Sequence, residues 1–204
     1  MSTSRKSVAD ERSGYHHGNL REALLEHGLA LLEEKGESQF SLRELARRVG
    51  VTANAVYRHF SSKDVLLMGL AAEGMRQFTA SQASAWGVTR GNVAEKFLAS
   101  GCAYVRFARN NPALFRLMFG RFIVEHRSEE LEHESRQAFA GLTTAVAATL
   151  GVPEDSGDIS GAVNAAWAVV HGFSHLILDG QIHGSDEELD ATVASALGHW
   201  LVSN

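Results

Sequence analysis

The stretch SLRELARRVGVTANAVYRHFSSK, from Ser41 to Lys63, contains two short amphipathic patterns on either side of Gly50. Glycine adopts a positive φ at little cost, so Gly50 can form a tight turn between two helices. Ala46 is small enough for the two helices to touch at that point. The apolar residues are spaced to pack this pair onto a third helix: Leu42, Leu45, Val49, Val51 and Val56. The stretch therefore predicts a helix-turn-helix.

The same stretch is a basic patch within an acidic chain. The 204 residues carry a formal net charge of −5, yet Ser41–Lys63 contains five Lys and Arg residues and a single Glu. Residues 1–64 hold ten basic and nine acidic residues, whereas residues 65–204 hold nine and fifteen. A local basic patch is typical of a nucleic-acid contact surface. The stretch also fits a helical hairpin whose basic face is only solvated.

The whole chain is predicted to be all-α, because apolar residues recur at helical spacing and no run alternates as a strand does. Gly36 is a predicted helix stop, and Pro112 after Asn111 is a predicted helix start. Capping patterns begin at Asn19, Ser41, Ser61 and Ser185, each followed three residues later by Glu or Asp. About nine helices are predicted, at 19–36, 41–48, 52–58, 62–86, 91–110, 112–119, 127–149, 158–179 and 186–202.

Three regions are predicted along the chain. Residues 1–14 are polar and predict a flexible tail, residues 15–64 the helix-turn-helix domain, and residues 65–204 a larger helical domain joined through helix 62–86. Cys102 is the only cysteine, so no internal disulfide can form, and this fits a reducing compartment. We see no signal peptide and no apolar run of about 18 residues. These features predict a cytoplasmic protein without a membrane partner.

The second helix of the pair is expected to begin at Thr52, a good N-cap, and to enter the major groove of double-stranded DNA. Asn54 can make a bidentate contact to adenine, whereas Ala53 and Ala55 offer only apolar contact. Thr52, Tyr57, His59 and Lys63 suit phosphate contacts, and the helix start at Ser61–Ser62 adds backbone donors. From the first helix, Ser41 and Arg43 could flank the groove.

The run YHHGNLREALLEHGLALLEEKG…FSLRELARRVGVTANAVYRHFSSKDVLLMGL resembles the DNA-binding domain of the TetR family of bacterial transcriptional regulators. The resemblance covers about residues 15–70. It implies a homodimer that binds a palindromic operator and a larger domain that binds an effector. The family's contacts carry over to Thr52, Tyr57, His59 and Lys63, with base-reading candidates at Arg43, Ala53, Asn54 and Ala55.

The larger domain resembles, less strongly, a subgroup with a Trp followed by a His-Gly pair, here Trp167, His171 and Gly172. The last two long helices are rich in small residues, which predicts a four-helix dimer interface, although ordinary packing within one chain would use them too. Aromatic and polar residues in this domain predict an effector site of unknown ligand. The candidates are Phe78, Tyr104, Phe107, Phe119, Asn164, Trp167, His171 and His175.

These observations favour a ligand-responsive transcriptional regulator, a repressor released from its operator by a small-molecule effector. One alternative is a metal-sensing regulator using His171 and His175, which are four residues apart on one helical face. Another is a helical small-molecule-binding protein that does not engage DNA. No catalytic motif is present, so we predict no enzyme, no cofactor and no metal site. Cys102 is expected to be a buried small hydrophobe, with a redox switch as the alternative.

Overall fold

The computed structural model describes residues 20–126, 128–157 and 159–203, and within these ranges it contains ten α-helices and no strand. The predicted tail 1–14 and the predicted cap at Asn19 lie outside the described residues. The helices are α1 Leu20–Gln39, α2 Leu42–Val49, α3 Ala53–His59, α4 Lys63–Val88, α5 Val93–Asn110, α6 Pro112–Phe119, α7 Arg121–Glu125, α8 Glu129–Leu150, α9 Ile159–Leu178 and α10 Asp186–Ser203. The all-α prediction is confirmed. Helix α7, only five residues long, was not predicted.

Two predicted helix breaks are present in the structure. Gly36 has φ 71° and ψ 169°, so the regular geometry of α1 is interrupted there. Pro112 occupies the first turn of α6, where the absence of an N–H costs nothing because that group has no intrahelical partner.

The predicted caps have mixed outcomes. At the start of α10, the Ser185 N–H donates to the Glu188 carboxylate at 2.8 Å and the Glu188 N–H donates to the Ser185 hydroxyl at 3.3 Å. That capping box is confirmed. The prediction of a capping box at Ser41 is wrong, because the Ser41 side chain makes no capping hydrogen bond. Glu44, the predicted partner, instead accepts two hydrogen bonds from Arg47.

The caps of α4 and α5 also differ from the prediction. The N-cap of α4 is Ser62, one residue after the predicted Ser61, and its hydroxyl accepts from the N–H of Val65 at 3.1 Å. An unpredicted capping box of Asn92 and Glu95 starts α5. Capping patterns recur within a residue or two in this sequence, so spacing alone did not select the one that forms.

Helix α2 packs between α1 and α3, and α1 contacts α4. Their shared core is fully buried and includes Leu24, Leu31, Leu45, Val56 and Phe60. Helix α4 then continues without a break into the larger part of the molecule, where it contacts α5, α6 and α8. Helix α5 lies at the centre of that part and also contacts α8, α9 and α10. The continuous α4 therefore connects the two parts without a flexible linker.

Helix α6 joins the two parts a second time. It contacts both α1 and α4. Its first free N–H groups, those of Ala113 and Leu114, donate to the carboxylate of Glu33 in α1 at 3.1 and 2.8 Å. The side chain of its N-cap residue, Asn111, caps nothing and bonds back to the Phe107 carbonyl. The start of α6 thus depends on a carboxylate from α1.

We expect Gly50→Ala to destabilise the protein by about 1–2 kcal/mol, because alanine is strained in the left-handed conformation of this residue, φ 77° and ψ 29°. A matched control is Gly141→Ala in the middle of α8, where an added Cβ meets nothing within 4 Å. That change should stabilise by about 0.5–1 kcal/mol. Urea unfolding of both variants measures the difference, and equal effects of the two substitutions would contradict it.

Candidate DNA-binding surface and effector cavity

The turn between α2 and α3 has the geometry that the sequence predicts. Gly50 closes α2 in the left-handed conformation, and the N–H of Val51 donates to the Ala46 carbonyl at 2.9 Å. Ala46 is 3% exposed, as expected where two helices touch. At the start of α3, the Thr52 hydroxyl accepts a hydrogen bond from the N–H of Ala55 at 3.3 Å. Thr52 is therefore the predicted N-cap.

Helix α3 has one buried face and one open face. Val56 is completely buried, which fixes the rotation of the helix on its support. Its exposed residues are Thr52 just before the helix, Asn54, Tyr57, Arg58 and His59. Ala53 and Ala55 are only half-buried rather than fully exposed, so they lie at the edges of the open face. The one early side chain on α3 that can hydrogen-bond a base edge is Asn54.

The remaining predicted DNA contacts surround this face. Arg43 is exposed on α2, and Ser41 is half-buried with a hydroxyl that caps no helix. Lys63 is half-buried, and its ammonium donates to the Glu37 carbonyl of α1 at 2.7 Å. That bond holds Lys63 at the junction of α1 and α4 and leaves two of its three donors available.

Two other arginines of the basic patch are already paired with acids. Arg47 forms a bidentate hydrogen-bonded ion pair with Glu44, and these hydrogen bonds are the main cause of the lowered pKa of that carboxyl. Arg48 binds Glu34 of α1 and lowers its pKa in the same way. Arg43 therefore has more freedom to approach an external anion than these two neighbours.

The larger part of the molecule contains a partly open cavity of about 570 Å³. It lies among α4, α5, α6, α8 and α9, with one residue from α10. Aromatic side chains dominate the walls: Phe78, Trp86, Phe97, Tyr104, Phe119, Phe139 and Trp167. The volume falls within the range of about 300–1,000 Å³ found for sites that bury drug-sized ligands.

Tyr104 is at the centre of a polar chain in the cavity wall. The indole N–H of Trp167 donates to the Tyr104 hydroxyl at 3.1 Å, and that hydroxyl lies 2.8 Å from Nδ1 of His171. Burial raises the pKa of Tyr104, so the phenol stays protonated. Burial, and then the neighbouring charge of His175, lower the pKa of His171. The chain is therefore uncharged at neutral pH.

Four of the predicted effector residues line this cavity, namely Phe78, Tyr104, Phe119 and Trp167. The other four lie elsewhere. Phe107 does not line the cavity but packs against Phe78, with ring centroids 5.3 Å apart. His171 does not line it either, and contacts the hydroxyl of Tyr104. His175 packs against His171 with ring centres 4.7 Å apart, and Asn164 is exposed on α9.

Several residues of the lining were not predicted from the sequence, including the aromatic residues Trp86 and Phe97. Gln82 of α4 and Phe139 of α8 also line the cavity. Phe139 is 45% exposed while its ring contacts Trp167, so it lies at the rim. Helical periodicity identifies residues that face inward, but it does not separate those that face a cavity from those that fill the core.

The metal-sensing alternative gains no support from the described residues. They contain no group of three or more His, Cys, Asp or Glu side chains that could hold a metal ion. His171 already uses Nδ1 in the bond to Tyr104. Cys102 is buried as predicted, and desolvation raises its pKa to about 11, so the thiol is unreactive near neutral pH.

Helices α9 and α10 leave a row of small residues uncovered. Gly161, Ala165 and Ala168 are exposed on α9, and Ala191 is exposed on α10. Within the described part of the chain, and contrary to the sequence prediction of no such run, Ile159–Leu178 is one helix that is long and apolar enough to cross a membrane, which by itself is weak evidence for a membrane. Only 22% of its apolar stretch is buried within the single chain. The outer face of α9 is thus apolar and uncovered.

Comparison with known proteins agrees with this architecture. Residues 24–70 match the family described as "Bacterial regulatory proteins, tetR family", and residues 97–199 match "Tetracyclin repressor-like, C-terminal domain". The second match alone covers half of the chain. The chain belongs to the TetR family. The Trp/His-Gly subgroup remains a prediction.

Individual relatives are similar over most of their length. The nucleoid occlusion factor SlmA of Vibrio vulnificus is 29% identical over 133 residues, which are 65% of this chain and 67% of that protein. A protein of unknown function from Rhodococcus sp. RHA1 is 29% identical, with a TM-score of 0.81 over 94% of this chain and 98% of the other. A tetR-family transcriptional regulator from Streptomyces coelicolor, 17% identical, shares the fold with a TM-score of 0.72 over 88% and 79% of the two chains.

Family membership and geometry together identify the protein as a ligand-responsive, DNA-binding transcriptional regulator. The helix-turn-helix presents a basic, polar face, and the larger part of this TetR-family chain contains a partly open cavity lined by aromatic residues. The alternative that the helix-turn-helix does not engage DNA is not favoured.

We expect Tyr104→Phe to destabilise the protein by about 1–3 kcal/mol, because Trp167 and His171 both lose their buried partner. Tyr57→Phe is the matched control: Tyr57 is 48% exposed, and loss of its hydroxyl should change stability by less than about 0.5 kcal/mol. Thermal unfolding followed by circular dichroism measures both. Equal melting temperatures for the two variants would show that the Tyr104 chain adds no stability.

Proposed function

We propose that this chain is a cytoplasmic, homodimeric repressor that binds a palindromic operator and is released when an effector occupies the cavity. The observation that carries this proposal is the open face of α3, with Asn54 and Tyr57 exposed and Val56 locked into the core. The DNA-binding unit would comprise residues 15–64 and the regulatory unit residues 65–204, joined through α4. We expect no catalytic activity from either unit.

The contacts divide by chemistry. Asn54 would bond adenine through its carboxamide, with Arg43 and the edges of Ala53 and Ala55 beside it. Thr52, Tyr57, His59, Lys63 and Ser41 would contact phosphates, which fix the position of α3 in the groove without selecting a sequence. The exposed α3 is only seven residues long, so one copy would contact few base pairs. A second copy one helical turn along the DNA would supply the other half-site.

The uncovered face of α9 supports the dimer. An apolar surface this extensive on a soluble chain favours association, and the small residues on α9 and α10 would let the helices of two copies approach closely. An added Cβ at Gly161, Gly172 or Gly198 meets nothing within 4 Å in the single chain, so these positions have room for a partner. The four helices would form a two-fold symmetric interface.

The operator prediction is tested by selecting binding sites from random duplex DNA at physiological salt. We expect one palindrome with two half-sites. Asn54→Ala should relax the selected base at one position in each half-site, at a cost of about 1–3 kcal/mol per half-site. Tyr57→Phe should weaken binding equally on all sequences. Failure of folded, dimeric protein to enrich any sequence would contradict the proposal.

Expression from a reporter promoter that carries the recovered site should fall when the protein is present.

The dimer prediction is tested by placing a charge on the uncovered face. Ala165→Glu would bury a carboxylate between two copies, so we expect the dimer dissociation constant to rise more than about tenfold. Ala140→Glu puts the same charge on the exposed side of α8 and should leave the dimer intact. Sedimentation velocity over a concentration series measures the effect. A dimer unaffected by Ala165→Glu would move the interface away from α9.

A further inference from the structure

The lining of the cavity contains no charged side chain among the described residues. Every lining residue is apolar, aromatic, a hydroxyl or an amide. A charged group buried here would have no opposite charge to compensate its loss of water, and such burial is very unfavourable. The polar groups besides Tyr104 are few and neutral, including the Gln82 carboxamide and the hydroxyls of Thr79, Ser100 and Ser135.

The Tyr104 hydroxyl can adapt to either kind of hydrogen-bonding partner. Its oxygen accepts from Trp167, and it shares one proton with Nδ1 of His171. If Nδ1 carries no hydrogen, Tyr104 donates to it and keeps a lone pair for a ligand donor. If Nδ1 carries the hydrogen, His171 donates to Tyr104, and the phenol proton is free for a ligand acceptor. A change of tautomer switches between these states without moving any heavy atom.

We propose that the cavity binds an uncharged, mainly apolar ring compound whose single polar group hydrogen-bonds the Tyr104 hydroxyl. This ligand class rests on the regulator function proposed above. The aromatic walls provide flat surfaces for ring contacts, since Phe78 lies edge-on to both Tyr104 and Phe119 with centroids 4.7 and 5.8 Å apart. Anionic metabolites and phosphorylated compounds are excluded from the buried part of the site.

The test uses three probes of one shape that differ in the polar group: 2-naphthol, naphthalene and 2-naphthoate. Isothermal titration of the full-length protein without DNA measures their affinities. We expect 2-naphthol to bind about two- to tenfold more tightly than naphthalene, the range of one net hydrogen bond. We expect 2-naphthoate to bind more than about 100-fold more weakly than 2-naphthol, because its carboxylate would be buried unpaired.

Two variants locate the binding in the cavity. Tyr104→Phe should remove the preference for 2-naphthol over naphthalene. The control Thr89→Val also removes one hydroxyl, but at a residue outside the cavity lining, and should keep the preference. Ala138→Phe places a ring inside the cavity and should weaken both neutral probes at least tenfold. This second variant keeps the proposal falsifiable if Tyr104→Phe does not fold.

Four results would overturn the proposal: no probe binding at millimolar concentration, 2-naphthoate binding as tightly as 2-naphthol, no preference for 2-naphthol in the natural protein, or a preference that survives Tyr104→Phe. Because these titrations contain no DNA, they separate the two proposals. Binding as expected without any selected operator would support the ligand class and refute the repressor. Selection of an operator without binding of the neutral probes would support the DNA-binding proposal and refute the ligand class.

Discussion

The hydrogen bonds from the Ala113 and Leu114 N–H groups to the Glu33 carboxylate join α6, which lines the cavity, to α1 in the DNA-binding part of the molecule. A helix needs acceptors for its first N–H groups, and a carboxylate also interacts favourably with the positive end of the helix dipole. Helix α6 is only eight residues long and supplies no capping side chain of its own. Its cap comes from α1, the helix that supports the DNA-binding unit. The position of α6 is therefore tied to that of α1.

Helix α6 also forms part of the cavity. Met118 and Phe119 line it, and Phe115 packs behind them with its ring centre 4.8 Å from that of Phe119. A ligand that displaces Phe119 would also displace α6, whose first N–H groups bond to Glu33. A second polar connection lies nearby, where Glu130 of α8 accepts from Arg21 of α1 at 2.7 Å and from Arg76 of α4 at 3.2 Å. These contacts connect helices of the cavity wall to α1, which packs against α2 of the helix-turn-helix.

Interactions close in sequence were predictable here, and those distant in sequence were not. Gly50, Thr52 and Ser185 act within a few residues of their partners, so spacing and residue type sufficed to predict the turn, the α3 cap and the α10 cap. The cap at Ser41 failed because Arg47 competes for Glu44, and spacing does not rank two local partners. Glu33 lies 80 residues from Ala113, and nothing local in either segment indicates their contact. The cavity could not be predicted from the sequence either, because an inward-facing Phe has the same sequence pattern beside a cavity and in a filled core.

The packing of α6 restricts how a ligand can act. A Cβ placed on Gly74 of α4 would lie 2.7 Å from Leu114 and 2.8 Å from the Met118 sulfur, so α6 rests directly on the backbone of α4. Displacement toward α4 is therefore blocked, and α6 can respond to a ligand only by sliding along α4 or moving away from it. Either movement changes the distance from its first turn to Glu33. In the proposed mechanism, a ligand with equal affinity for the DNA-bound and released conformations would release no DNA, since only differential affinity shifts an equilibrium.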